Sequence, residues 1–174
     1  LMNRFVHSLG IRDKLRELLL PQGQSNRAYD PVHVVESFWL SIWTGASRFI
    51  YADWLRYDTV LQEIFGFERM PSQSTYSRFF GKFSDQRNTE LFPERHRWMI
   101  EQVHLSEITL DLDSTVIIRS GQQEGSAKGY NPMKRGRSSH HPLMAFISQT
   151  RMVANAWVRP GNTAGSSNCE AFLQ

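Results

Sequence analysis

Apolar positions recur at a helical period through the first hundred residues and switch to alternation after Ser106. Phe5, Val6, Leu9, Ile11, Leu15, Leu18 and Leu19 predict a helix over 3–20, stopped by Pro21 and Gly23. Asp30 and Pro31 supply a cap and a first-turn proline, and the "VHVVESFWLSIWTGASRF" that follows is too apolar for a surface helix. Trp39 and Trp43, one turn apart, are expected to anchor its core. "DWLRYDTVLQEIF", a turn "GFERMP" and "SQSTYSRFFGKF" then give helix, turn and helix over 53–83, the order of a helix-turn-helix. In its second helix Thr75, Phe79, Phe80 and Phe83 form the inward stripe, leaving Gln73, Ser74, Ser77, Arg78 and Lys82 outward. A further helix is expected over roughly 84–104, with Pro93 as a kink or split.

The alternating region predicts a strand over 107–119, a loop rich in Gly, Ser and Lys/Arg over 120–139, then strands in "HPLMAFISQ" and "RMVANAWVR". The short "QTR" between the last two predicts a hairpin. "PGNTAGSSNCEAFLQ" reads as a loop entering a helix, with Ser166, Ser167 or Asn168 as cap. The fold class is α+β: a helical domain over 1–105, then three antiparallel strands within 106–174. So short a final helix would not repay its nucleation cost, so the sequence is expected to be a piece of a longer protein.

Charge sharpens this picture. Residues 1–118 carry 13 Lys/Arg against 15 Asp/Glu, whereas 119–174 carry 7 against 2. The positive field of the last third suits a polyanion, and phosphate is the commonest one. Along the first strand Thr109, Asp111, Asp113 and Thr115 share one face, and Ile108, Leu110, Leu112, Ser114 and Val116 the other. One face is expected to be core and the other chemical. Carboxylates roughly 7 Å apart on one face repel unless a proton, a partner or a divalent cation intervenes. Mg²⁺ accepts one or two carboxylates together with substrate phosphates. A solvated edge strand would carry the same D-x-D, so the pattern alone leaves both readings open. Lys128, Lys134, Arg135 and Arg137 follow in the loop, opposed only by Glu124, as phosphodiester chemistry would require.

Gln73, Ser74, Ser77, Arg78 and Lys82 are types that contact base edges and phosphates, though an ordinary helical hairpin also wets such a face. His140 and His141 point to opposite faces of a strand, so at most one could join a site. Cys169 stands alone, which excludes an internal disulfide framework and a cysteine zinc site. No run of about 18 apolar residues exists and the N-terminal stretch is charged, so a cytoplasmic protein without membrane spans is expected.

"LDLDSTV", "KGYNP", "GRSSHHPL" and "RPGNT" together resemble the DDE transposases of bacterial insertion sequences, in particular the insertion-sequence thirteen-eighty group. The resemblance implies a ribonuclease H-like core opening with three antiparallel strands, double-stranded DNA (transposon ends and target) as partner, and a homo-oligomer on that DNA. It implies Mg²⁺ or Mn²⁺ in the complete active site, Asp113 at the position of the first catalytic Asp, and Asp111 as an accessory metal ligand. The family's second Asp and its Glu have no counterpart here, so this chain alone is expected to be inactive, the parent enzyme cutting and joining strands. Two alternatives remain: a non-catalytic DNA-binding remnant or regulatory fragment, and a small metal-dependent phosphohydrolase using Asp111, Asp113 and His140 or His141.

Overall fold

A computed structural model describes residues 1–173 apart from Gln122, and Asp85 by its backbone alone. The chain forms two compact units, Leu1–Phe92 and Pro93–Gln174.

The first unit is helical. The expected helix over 3–20 is two helices, α1 (Met2–Ser8) and α2 (Ile11–Glu17), because Gly10 between them takes φ +61°, a conformation that ends a helix. α3 (Pro31–Trp43) starts as expected, with Asp30 Oδ1 accepting from Val32 N at 2.9 Å. α4 (Phe49–Ala52), a 3₁₀ turn over Asp53–Tyr57, α5 (Thr59–Phe65) and α6 (Gln73–Phe80) follow. Asp58 caps α5, and Asp53 Oδ1 accepts from Gln73 N at 2.8 Å, tying the 3₁₀ turn to the first turn of α6. α7 (Asp85–Glu101) runs unbroken through Pro93.

Tyr76 lies at the centre of the main core, 0% exposed, among Val34, Val35, Ala52 and Phe79. Its ring lies 6.0 Å from those of Phe38 and Phe49. Trp39 only flanks this core and Trp43 is exposed, so the expected tryptophan anchor is replaced by a tyrosine and phenylalanines. The tryptophans sit toward the solvent side of α3, whose buried face is Val32, Val34, Val35 and Leu40. Glu36 is buried too, and Arg12 holds it with Nη2 and Nε at 2.8 to 3.0 Å while also donating to the Phe65 carbonyl. One guanidinium thereby joins α2, α3 and the end of α5, which satisfies a charge that burial alone would forbid.

The second unit holds two antiparallel sheets. β1 (Leu110–Ser114), β2 (Ile117–Ile118), β3 (Ala127–Lys128), β4 (Ser138–His140), β5 (Leu143–Ile147) and β6 (Met152–Trp157) order as β1-β5-β6 and β2-β4-β3. The expected β5–β6 hairpin is present, turned through Ser148–Arg151 with Arg151 at φ +59°. The expected single strand over 107–119 divides between the two sheets after Ser114. The expected loop over 120–139, described except for Gln122, contains β3 and the start of β4. Such two-residue ladders carry too little alternation to be seen in sequence. Register puts Leu143, Ala145 and Ile147 on the face of Leu110, Leu112 and Ser114. Phe172 of α8 (Cys169–Leu173) packs on Leu143 and Ala145, its ring 5.3 Å from that of Trp157. The expected core face of β1 is not covered: Ile108, Leu110 and Leu112 are 52%, 44% and 43% exposed, because α8 packs over β5 and β6.

Candidate functional site

β1 is an edge strand, and Asp111 and Asp113 share its face with Phe146 and Met144 of β5, the residues directly opposite them. Both carboxylates are exposed. Ser148 Oγ donates to Asp111 Oδ2, so one oxygen of Asp111 is held, while no hydrogen bond fixes Asp113 among the described residues. Two clefts, of about 380 and 270 Å³, are lined by residues 15–32 and 44–55, so Asp113 lines neither. No group of three His, Cys, Asp or Glu side chains gathers there among the described residues. The pair therefore fits a single hard cation that takes its remaining ligands from water or phosphate, and not a closed protein cage.

The end of β1 is braced from the "RPGNT" segment. Arg159 is buried with no carboxylate paired to it among the described residues, and it donates to the carbonyls of His141 (3.1 Å), Gly165 (3.2 Å) and Ser167 (2.8 Å). Gly165 in turn reaches Ser114, where an added Cβ would sit 3.6 Å from Oγ. Sequence reading missed this arginine because its partners are backbone carbonyls of a loop that no pattern marks.

The histidines belong to the scaffold. Arg119 Nε donates to His140 Nδ1 at 3.0 Å, so that nitrogen carries no proton, and Nε2–H donates to the Glu124 carbonyl at 2.9 Å. His141 Nδ1–H donates to the Thr163 carbonyl at 2.8 Å. Neither His140 nor His141 gathers with Asp111 and Asp113 into a group of three among the described residues, so the phosphohydrolase reading finds no third ligand there.

The four basic residues of the 128–137 segment lie outward: Lys128 on β3, and Lys134, Arg135 and Arg137 between β3 and β4. None is ion-paired with a described residue. Their segment is held from beneath. Gly129 meets Gly161 so closely that a Cβ on Gly129 would overlap the Gly161 carbonyl, and a Cβ on Gly161 would overlap the Ser139 hydroxyl and the Ala127 carbonyl. The "KGYNP", "GRSSHHPL" and "RPGNT" segments thus meet at two glycines. Gly161→Ala should lower the unfolding free energy of this unit by about 3 kcal/mol, since the Ala127 and Ser139 carbonyls among the colliding atoms are backbone; urea titration measures it.

In the first unit Gln73, Ser74, Ser77 and Arg78 of α6 are exposed, as their spacing predicts, and so is Lys82 just past its end, while Phe79 is buried and Thr75, Phe80 and Phe83 are half-buried. The inward stripe omitted its principal member, Tyr76, which the i+3 and i+4 spacing to Phe79 and Phe80 would have included. Lys82 Nζ donates to the Gln22 carbonyl at 2.8 Å, and Arg78 reaches Ser74 Oγ at 3.5 Å, so both cations are directed along the surface.

The acidic face of β1 and the cation-rich 128–137 segment belong to the same unit, on its two different sheets. The family model described as Transposase DDE domain group 1 matches residues 1–174. The chain belongs to this transposase family. The resemblance carried by "LDLDSTV" and the three later segments thus holds at family level. No curated protein and no solved structure matches the chain. Transposases act on DNA, and DDE transposases in general use a divalent metal. Among the described residues no helix is long and apolar enough to cross a membrane.

Proposed function

We propose that this chain is part of a DDE transposase of the insertion-sequence thirteen-eighty group, in which residues 1–105 bind transposon-end DNA and 106–174 begin a ribonuclease H-like catalytic domain. The observation that supports it is the pair of carboxylates on the open face of β1 in a β1-β5-β6 antiparallel sheet, within a chain of this family. Asp113 is the catalytic carboxylate and Asp111 its neighbour, and these two would hold Mg²⁺ or Mn²⁺. A divalent ion held there would supply charge to neutralise the phosphate and would lower the pKa of water. The residues themselves do the rest. Asp113 and Asp111 fix where the scissile phosphate docks, with Ser148 orienting Asp111. Lys128, Lys134, Arg135 and Arg137 grip the backbone beside it. Gln73, Ser74, Ser77, Arg78 and Lys82 present α6 to the duplex as the second helix of a helix-turn-helix-like unit. The activity is strand cleavage and strand transfer in the cytoplasm, by a homo-oligomer assembled on its element ends.

The exposed polar face of α6 also favours a second reading, a DNA-binding regulatory fragment without catalysis. Binding to element-end and random duplexes across a salt series tests what the two readings share. Affinity should fall steeply with salt, and Lys134→Gln/Arg135→Gln should reduce the slope of log K against log salt by about 2, one phosphate contact being worth roughly 0.9. A constant that ignores salt would contradict both. Mg²⁺-dependent nicking then separates them.

A further inference from the structure

The basic segment carries two large apolar side chains that phosphate binding does not use: Tyr130 is 76% exposed and Met133 is 70% exposed. An exposed tyrosine on a mobile loop would mean little. Here the support is rigid. β3 and β4 pair on either side of the segment, through Ala127 to Ser139 and Lys128 to Ser138. Gly129, directly before Tyr130, is pressed against the Gly161 backbone. Asn131, directly after it, is 3% exposed, and its Oδ1 accepts from Met133 N (3.1 Å) and Lys134 N (2.9 Å). Tyr130 is thus clamped on both sides with its ring left in solvent, beside Lys128, Lys134, Arg135 and Arg137. Glu124 is the only acidic residue between Ser114 and Cys169.

An aromatic face among cations, with its ordering cost already met by the fold, matches the chemistry of a nucleobase attached to phosphates. A paired base inside a duplex shows no free face, so the base must be unstacked: at a strand end, at a nick or beyond a duplex junction. We propose that Tyr130, flanked by Met133, stacks on an unpaired base of the DNA while the neighbouring cations hold the phosphates on either side. This rests on the reading that the 128–137 segment contacts DNA, and adds a residue that recognises strand ends rather than backbone.

The test uses the transposase expressed from its complete reading frame and a duplex with a single-stranded overhang whose first unpaired base is 2-aminopurine, against the same duplex with a blunt end. The wild type should bind the overhang more tightly and quench its fluorescence. Tyr130→Ala should weaken overhang binding about tenfold and lose the quenching, with blunt-duplex affinity and salt slope unchanged. Tyr130→Phe should restore both, since the ring and not the hydroxyl stacks. Quenching and affinity unchanged in Tyr130→Ala would overturn the proposal and leave the cationic contact standing. Unchanged binding together with altered self-association would overturn it too, assigning the ring to a protein contact. An unchanged salt slope in Lys134→Gln/Arg135→Gln would instead remove the DNA contact on which it rests.

Discussion

Asp113→Asn should reduce strand cleavage by the transposase at least about a thousandfold while leaving its affinity for element-end DNA within twofold of wild type. The substitution keeps the size of the side chain and removes the negative charge. Asp113 is exposed on an edge strand and its carboxylate carries no hydrogen bond among the described residues, so the fold should lose little. The cations proposed to bind backbone lie on other segments, so binding should persist. A purely solubilising Asp113, or one that only keeps a free sheet edge from pairing, would give a different result: cleavage would survive. Asp111→Asn should cost less, because Ser148 already occupies one of its oxygens. Nicking of a labelled element end beside a gel-shift titration reads both quantities.

Tyr76→Ala should remove about 3–5 kcal/mol from the helical unit. The ring is fully buried against Phe38 and Phe49, and the hydroxyl donates to Ser37 Oγ at 3.1 Å, which itself donates to the Val34 carbonyl at 3.1 Å. Tyr76→Phe keeps the ring and should cost about 1 kcal/mol. DNA binding through α6 should fail with Tyr76→Ala and survive Tyr76→Phe, because this ring fixes the helix whose other side carries Gln73, Ser74 and Ser77. The same residue gives a signature in alkali. Burial is the main reason its phenol is pushed up to about 12, from an ordinary value of 10.0. Between those values the unfolded chain gives up a proton that the folded one retains, so stability is full below pH 10 and falls as pH rises toward 12. The loss reaches about 2–3 kcal/mol and should be missing in Tyr76→Phe, as urea titrations of the two proteins on either side of pH 10 would show.

Signals within a few residues of one another carried most of what could be read ahead of the structure. Asp30 before Pro31 fixed the start of α3, the period of α6 named its exposed residues, and alternation with a short turn gave the β5–β6 hairpin. The failures have a common physical origin in contacts made across the chain. The Arg12–Glu36 pair, 24 positions apart, permits a buried charge that no local rule expects. Tyr76 ranks by period with its neighbours and becomes central only when α3 and α4 close on it. β3 and β4 are too short to show alternation, and the reason for glycine at 129 and 161 exists only where the two backbones cross. That Asp111 and Asp113 share one face was legible, because alternation along one strand decides it. The bare outer face of Leu110 and Leu112 was not, because the covering element packs elsewhere on the sheet.

The most direct test of Asp113 as a metal ligand is a change of metal preference. Strand cleavage by Asp113→Cys would be measured with Mg²⁺ and with the softer Mn²⁺ and Cd²⁺, relative to wild type. The predicted result is cleavage lost with Mg²⁺ and recovered at least about tenfold with a thiophilic ion, because a thiolate at a ligand position selects the softer metal. Cleavage equal to wild type in Mg²⁺, or no recovery with any softer ion, would contradict it.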